Sequence, residues 1–164
     1  MVIRRAKYPD AEDIAKIYNQ AMAPGVFAMS RVSPETRTER LDWLREHKDP
    51  YPAFVYQHES GKVIAWCSLN TLSMRPEYME LSEVSFYVDE QHQRRGIGRL
   101  MLAHLINTAN TFGLRALLGR TLERNVGATK NFHSFGFVRV VTLRELSLIR
   151  GEWHNDVWLW KQLR

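Results

Sequence analysis

The chain has 164 residues, 45% of them apolar, 25% charged and 11% aromatic. That is enough for one continuous core, and it excludes a disordered polyelectrolyte, a fibrous repeat or two large domains. Lys and Arg number 23 against 18 Asp and Glu, a net charge of +5, which favours an anionic partner: nucleic acid, an anionic membrane or a phosphorylated cofactor.

In chain order, residues 2–6 read as a short strand. Asp10 then stands as the cap of a helix whose apolar positions Ile14, Ile17, Tyr18, Ala21 and Met22 recur at helical spacing, ended by Ala23-Pro24-Gly25. Ser33 and Pro34 read as N-cap and first residue of a second helix reaching about His47, with Leu41 and Leu44 as its stripe and Asp49-Pro50-Tyr51-Pro52 as its stop. Residues 53–58 and 63–71 are β-rich runs joined by the hairpin signal Glu59-Ser60-Gly61-Lys62, and residues 79–88 form a third. There follow a helix over 97–112 stopped by Gly113, a strand over 116–122, a helix over 126–135 stopped by Gly136, and strands over 137–148 and 156–162. No repeat or linker divides the chain. The expected architecture is a single α/β domain over 1–164, order βααβββαβαββ, with a mixed central sheet flanked by helices on both faces.

The most specific local feature is Gln93-Arg94-Arg95-Gly96-Ile97-Gly98, between the apolar strand Val84 to Val88 and the helix beginning near Ile97. Backbone N–H groups at a helix start lack internal partners and sit at the positive end of the helix dipole, so a glycine-containing turn there can wrap a phosphate. Arg94, Arg95 and Arg99 add positive charge. The loop is not a dinucleotide fingerprint, because Met101 stands where its third glycine would be, and Lys62 is not in a Walker A context. On the residues alone, Gly96 and Gly98 could equally make a tight strand-to-helix turn.

Q-x-x-G-x-G after an apolar strand resembles the acetyl-CoA pyrophosphate loop of the GCN5-related N-acetyltransferases (GNATs), and the element order resembles their fold over the whole length. Asn125-Val126-Gly127-Ala128 leading to Phe132-His133-Ser134-Phe135-Gly136-Phe137 resembles that superfamily's later helix motif. Within the superfamily the chain is similar to the phosphinothricin and methionine sulfoximine acetyltransferases. The similarity lies in Ile17-Tyr18-Asn19, in Pro34 with Arg40 and Trp43, in Arg75 with Tyr78 and Glu83, in Glu83-Val84-Ser85-Phe86-Tyr87-Val88, and in Gly151-Glu152-Trp153 with Asp156-Val157. The resemblance implies an N-acetyltransferase domain that uses acetyl-CoA as co-substrate, requires no metal, and acts on the amine of a small amino-acid-like substrate.

Such an amine must lose a proton before it can attack. Strand alternation puts Val84, Phe86 and Val88 on one face and Glu83, Ser85 and Tyr87 on the other. A partly desolvated carboxylate at Glu83 would have a raised pKa suited to general-base work, whereas Glu77 and Glu80 read as solvent-facing. The resemblance makes Glu83 the base, acting through water, and gives the oxyanion a backbone N–H from Phe86 or its neighbour. It also pairs the backbone of Phe86, Tyr87 and Val88 with the pantetheine arm, puts Gln93, Arg94, Arg95, Gly96, Ile97, Gly98 and Arg99 around the phosphates, and sets Asn125 on the cofactor. Asn125 suits plain N-capping as well. Arg75 could clamp a substrate carboxylate, with Tyr78 beside it, or could simply be solvated.

Three departures stand out. Phe132 occupies the position where the superfamily has a Tyr, or the subfamily a His, that protonates the leaving thiolate. His133 is one residue later, about 100° around a helix. In the first loop, Ser30, Arg31 and Val32 replace the subfamily's aromatic and acidic residues. The departures support a second reading, a non-enzymatic acyl-CoA-binding protein of the same fold.

The remaining candidates are weaker. His154-Asn155-Asp156 alone is no metal site, Cys67 reads as a buried small apolar residue, and no G-x-S-x-G elbow is present. Trp158, Leu159 and Trp160 read as core strand, with a homodimer interface as the alternative. A single cysteine and no charged-then-apolar leader point to a cytoplasmic protein. Apolar runs such as Met101 to Ile106 fall short of the roughly 20 residues a membrane span needs. Residues 91–130 carry seven Lys and Arg against one acid, Glu123, and the rest of the chain 16 against 17. That concentration around the proposed phosphate loop favours coenzyme A over a nucleic-acid track.

Overall fold

The fold is organised by alternation along its central strands. In β3 (Val63–Thr71), Ala65, Cys67 and Leu69 enter one apolar layer while Trp66 enters another on the opposite face. The computed structural model describes residues 1–23, 25, 26, 28 and 33–164. Seven strands, β1 (Val2–Arg5), β2 (Ala53–Gln57), β3, β4 (Leu81–Val88), β5 (Ala116–Leu122), β6 (Val138–Ile149) and β7 (Glu152–Gln162), form one sheet in the order β1-β2-β3-β4-β5-β7-β6. Among the described residues, only β4 and β5 pair in parallel. Helices α1 (Ala11–Gln20) and α2 (Arg37–Glu46) cover the Trp66 face, where Ile14, Ile17 and Leu44 pack on Val55 and Val63. Helices α3 (Ile97–Thr111) and α4 (Val126–Ser134) cover the other, where Met101, Leu102, Leu105 and Phe132 meet Leu117, Val157 and Leu159. The expected βααβββαβαββ order and mixed sheet are those observed.

Two element starts, and the way one helix is capped, differ from the sequence reading. The second helix begins at Arg37 and not at Pro34, because Thr36 and Glu39 form a reciprocal capping box: Thr36 Oγ1 accepts from Glu39 N at 3.2 Å, and Glu39 Oε2 accepts from Thr36 N at 2.8 Å. Asp10 does not cap α1 through its side chain; its carboxylate accepts from Lys7 N at 2.7 Å and from Arg4 at 2.7 and 2.8 Å. β7 begins at Glu152 and not at Asp156, because the Arg150-Gly151 turn lets Ile149 pair with Glu152 and Leu148 with Trp153.

Cys67 is fully buried, and burial pushes its thiol pKa well up. No helix among the described residues is long and apolar enough to cross a membrane.

Candidate active site

The parallel pairing of β4 with β5 runs from Leu81↔Ala116 to Val84↔Gly119 and stops, although the strands continue to Val88 and Leu122. Beyond that point β4 stays paired only with β3, through Ala65↔Val88, so one edge of Ser85–Val88 is presented to a notch. Phe132 of α4 sits at its base. A Cβ on Gly119 would lie 2.5 Å from Phe132 Cε1, so the ring occupies space that any other residue at 119 would need. The same ring meets Phe86 and Phe137 edge-on, at 5.5 and 4.9 Å between centroids. The notch opens into a cavity of about 840 Å³ with two chemically different ends.

One end suits an anion. Arg94 and Gly96 both have positive φ, 59° and 79°, and Gly96 is the N-cap of α3 without a side-chain cap of its own. Glycine adopts that conformation freely, and the helix start it opens, whose first N–H groups lack intrahelical partners, borders the cavity. Gln93 Nε2 donates back to the Val88 carbonyl at 3.2 Å. Buried Asp89 anchors the loop, accepting from Gln20 Nε2 at 2.9 Å and pairing with His92 Nδ1 at 2.6 Å. Burial alone would raise the Asp89 pKa, but these hydrogen bonds outweigh it and hold the carboxyl below its ordinary range. Gln93, Arg94, Gly96, Ile97, Gly98 and Arg99 line the cavity, and Arg99 also donates to Ser134 Oγ at 2.6 Å, tying α3 to α4.

The other end is walled by aromatic rings and two ion pairs. Glu83 is held by Arg120 of β5, with Nε at 2.9 Å from one oxygen and Nη2 at 2.8 Å from the other. Arg120 in turn lies over the Trp158 ring at 5.6 Å. Arg40 pairs with Glu35 and is boxed by Tyr18, Trp43 and Trp66 at 5.1, 4.3 and 4.8 Å. Burial lowers the Arg40 pKa from its ordinary value, the Glu35 carboxylate opposing it. Asn70 stands opposite Glu83 in the β3–β4 ladder.

The Acetyltransferase (GNAT) domain family matches residues 3–158. The chain belongs to the GNAT acetyltransferases. It is 32% identical to YwnH of Bacillus subtilis, whose name places it provisionally among the phosphinothricin acetyltransferases, over 84% of this chain and 83% of that one. It is 27% identical to an L-methionine sulfoximine/L-methionine sulfone acetyltransferase of Salmonella typhimurium, over 99% of this chain and 95% of that one. Among solved structures, yncA from Salmonella typhimurium with its cofactor acetyl-CoA superposes with a TM-score of 0.93 at 27% identity, covering 100% of this chain and 94% of that one.

This GNAT chain brings Glu83, Phe86, Tyr87, Val88 and Asn125 to the same cavity as the Gln93–Arg99 loop, of which Arg95 is exposed and outside the lining. Asn125 is the N-cap of α4, its Oδ1 accepting from Ala128 N at 3.1 Å while the residue lines the cavity. Arg75 and Tyr78, expected as substrate contacts, do not line it; both are exposed, Arg75 just before and Tyr78 at the end of a short turn, residues 76–78, that precedes β4. His133 also points elsewhere, its Nδ1 meeting the Phe137 carbonyl at 2.9 Å. Phe132 has a packing role. Ser30, Arg31 and Val32 lie outside the described residues.

Sequence reading missed Arg120 and Asn70. An Arg between Leu118 and Leu122 in an otherwise buried strand was the available signal for Arg120, but its partner depends on the β4–β5 register. The expectation for Glu83 rested on desolvation and on the resemblance, and named no cationic partner. The carboxylate is half-buried and carries a two-point guanidinium partner as well.

Proposed function

We propose that this GNAT enzyme acetylates the primary amine of a small amino-acid-like acceptor by direct attack in a ternary complex, with Glu83 as general base. Acetyl-CoA, when bound, supplies an acetyl group activated as a thioester. The Gln93–Arg99 loop and the N-terminus of α3 would hold its phosphates. The unpaired edge of Phe86–Val88 would align the pantetheine arm, with the Phe86 N–H near the carbonyl oxygen. The residues fit that group because a strand edge freed at Val84 and an uncapped helix start border one cavity.

The observation that carries the reading is the position of the Glu83 carboxylate: on the wall of that cavity, on the face of β4 opposite Phe86, and fixed by two hydrogen bonds from Arg120. A carboxylate fixed in this way can take an ammonium proton without searching for its geometry. Arg99 ties the loop end of α3 to α4, and Asn125 caps α4 beside the cavity. The relatives named for phosphinothricin and methionine sulfoximine support an amino-acid-like acceptor.

Release of free thiol from acetyl-CoA with a panel of small primary amines, L-methionine sulfoximine among them, tests the activity. Glu83→Gln is expected to lower turnover by ~100-fold or more while leaving coenzyme A affinity within about two-fold. An unchanged rate in Glu83→Gln removes the base assignment. Undiminished coenzyme A binding with no turnover on any amine removes the enzymatic reading in favour of a binding protein.

A further inference from the structure

The Asn70 amide has one orientation compatible with its neighbours. Its Nδ2 lies 2.9 Å from the Glu83 carbonyl oxygen, which can only accept, so the NH2 group faces β4 and the amide oxygen faces away. That oxygen accepts from Ser68 Oγ at 2.9 Å and meets His47 Nε2 at 3.0 Å, which fixes the amide from the far side. The same Nδ2 is 3.1 Å from Ser85 Oγ. An amide nitrogen offers no lone pair, so Ser85 Oγ is the acceptor there, and its own proton stays available to another partner. Ser85 lines the cavity, and alternation along β4 puts it on the same face as Glu83.

We propose that Ser85 relays the acceptor's ammonium proton to Glu83, and that Asn70 is the positioning residue that sets the direction of the relay. The proposal rests on the reading of Glu83 as the base. With one lone pair of Ser85 Oγ committed to Asn70, the other would accept from the ammonium N–H, and Oγ–H would turn along the shared strand face to the Glu83 carboxylate once the acceptor is bound. Each Glu83 oxygen keeps a lone pair beside its bond from Arg120. One proton passes from nitrogen to Ser85 Oγ as the serine proton passes to Glu83. The amine becomes neutral, the carboxyl becomes protonated and the serine is regenerated. The neutral amine then forms its C–N bond as the acetyl C–S bond breaks with its electron pair on sulfur. The second N–H proton ends on that sulfur, and the Glu83 proton returns to solvent.

The test compares wild type with Ser85→Ala, Ser85→Thr, Asn70→Ala and Glu83→Gln, using acetyl-CoA and L-methionine sulfoximine or the best amine of the panel, from pH 6.5 to 9.5. Thermal unfolding of each variant reports its folding. Ser85→Ala is expected to lower kcat ~10–100-fold at neutral pH with coenzyme A affinity kept, and Ser85→Thr, which retains the hydroxyl, to stay near wild type. The Ser85→Ala deficit should shrink as pH rises towards the amine's own pKa, because a neutral amine needs no relay. Asn70→Ala should cost much less in the Ser85→Ala background than alone. A Ser85→Ala rate equal to wild type, or a loss independent of pH, overturns the relay. An undiminished rate in Glu83→Gln overturns the base reading and the relay with it, whereas loss in Glu83→Gln with full activity in Ser85→Ala overturns the relay alone.

Discussion

Phe132 and Gly119 share one space: the phenyl ring lies where a side chain on β5 would begin, with Cε1 2.5 Å from the missing Cβ. This contact stands where β4 and β5 stop pairing, and it places α4 over the base of the notch. Phe132 therefore packs the base of the cavity.

Gly119→Ala forces that ring to move. It is expected to cost about 1–3 kcal/mol of stability, as overpacking in a close-packed core does, and to weaken coenzyme A binding because the displaced ring leans on Phe86. Chemical denaturation and a coenzyme A titration check the two effects, and combining the change with Phe132→Leu should recover part of the stability.

Arg120→Ala leaves Glu83 in place without its guanidinium. We expect kcat to fall by ~10–100-fold with little change in acetyl-CoA KM, as for a group that orients a base. Arg120→Lys should recover only part, since a point charge cannot reproduce the two-point contact. Steady-state kinetics separate the outcomes, and a change confined to acetyl-CoA KM would place Arg120 in cofactor binding.

Asp10 couples stability to pH. Burial alone would raise its pKa, but hydrogen bonds from Arg4 and the Lys7 N–H outweigh it and hold the carboxyl below its ordinary value. A depressed folded-state pKa contributes stability that is present above the unfolded pKa near 4 and is lost as pH falls through the folded value. Asp10→Asn should therefore lower stability at pH 7 and flatten the decline between about pH 5 and 3. Arg4→Ala should destabilise by about 1–3 kcal/mol at pH 7, because it leaves a carboxylate only 7% exposed without its two strongest donors.

Gly96→Ala places a Cβ on a residue at φ +79°. No neighbour lies within 4 Å of that Cβ, so the cost is backbone strain alone, about 1–2 kcal/mol. Coenzyme A affinity is expected to fall, because relief of the strain turns the α3 N–H groups away. Calorimetric titration of Gly96→Ala against wild type decides this, and an equal affinity would show that the loop does not depend on the left-handed turn.

The amino-acid sequence by itself determined the element order, the alternation of β4 and the strand and loop that lead through Gly96 into the next helix. Each follows from local periodicity, glycine chemistry and helix-start polarity, which operate within about ten residues. Residues within one element were therefore legible together: Glu83 with Ser85, and Gln93 with Arg99. What only the tertiary structure decided are the pairings across elements. Arg120 reaches Glu83 because Val84 stands beside Gly119 in the parallel ladder, and Asn70 reaches Ser85 because of the β3–β4 register. Arg75 and Tyr78 stay outside the cavity because the turn before β4 carries them to the surface. A shift of one residue in either ladder would move each side chain to the opposite face of the sheet. Register is fixed by burial over the whole sheet, so the partners of Glu83 and Ser85 belong to the fold and not to any single stretch of the chain.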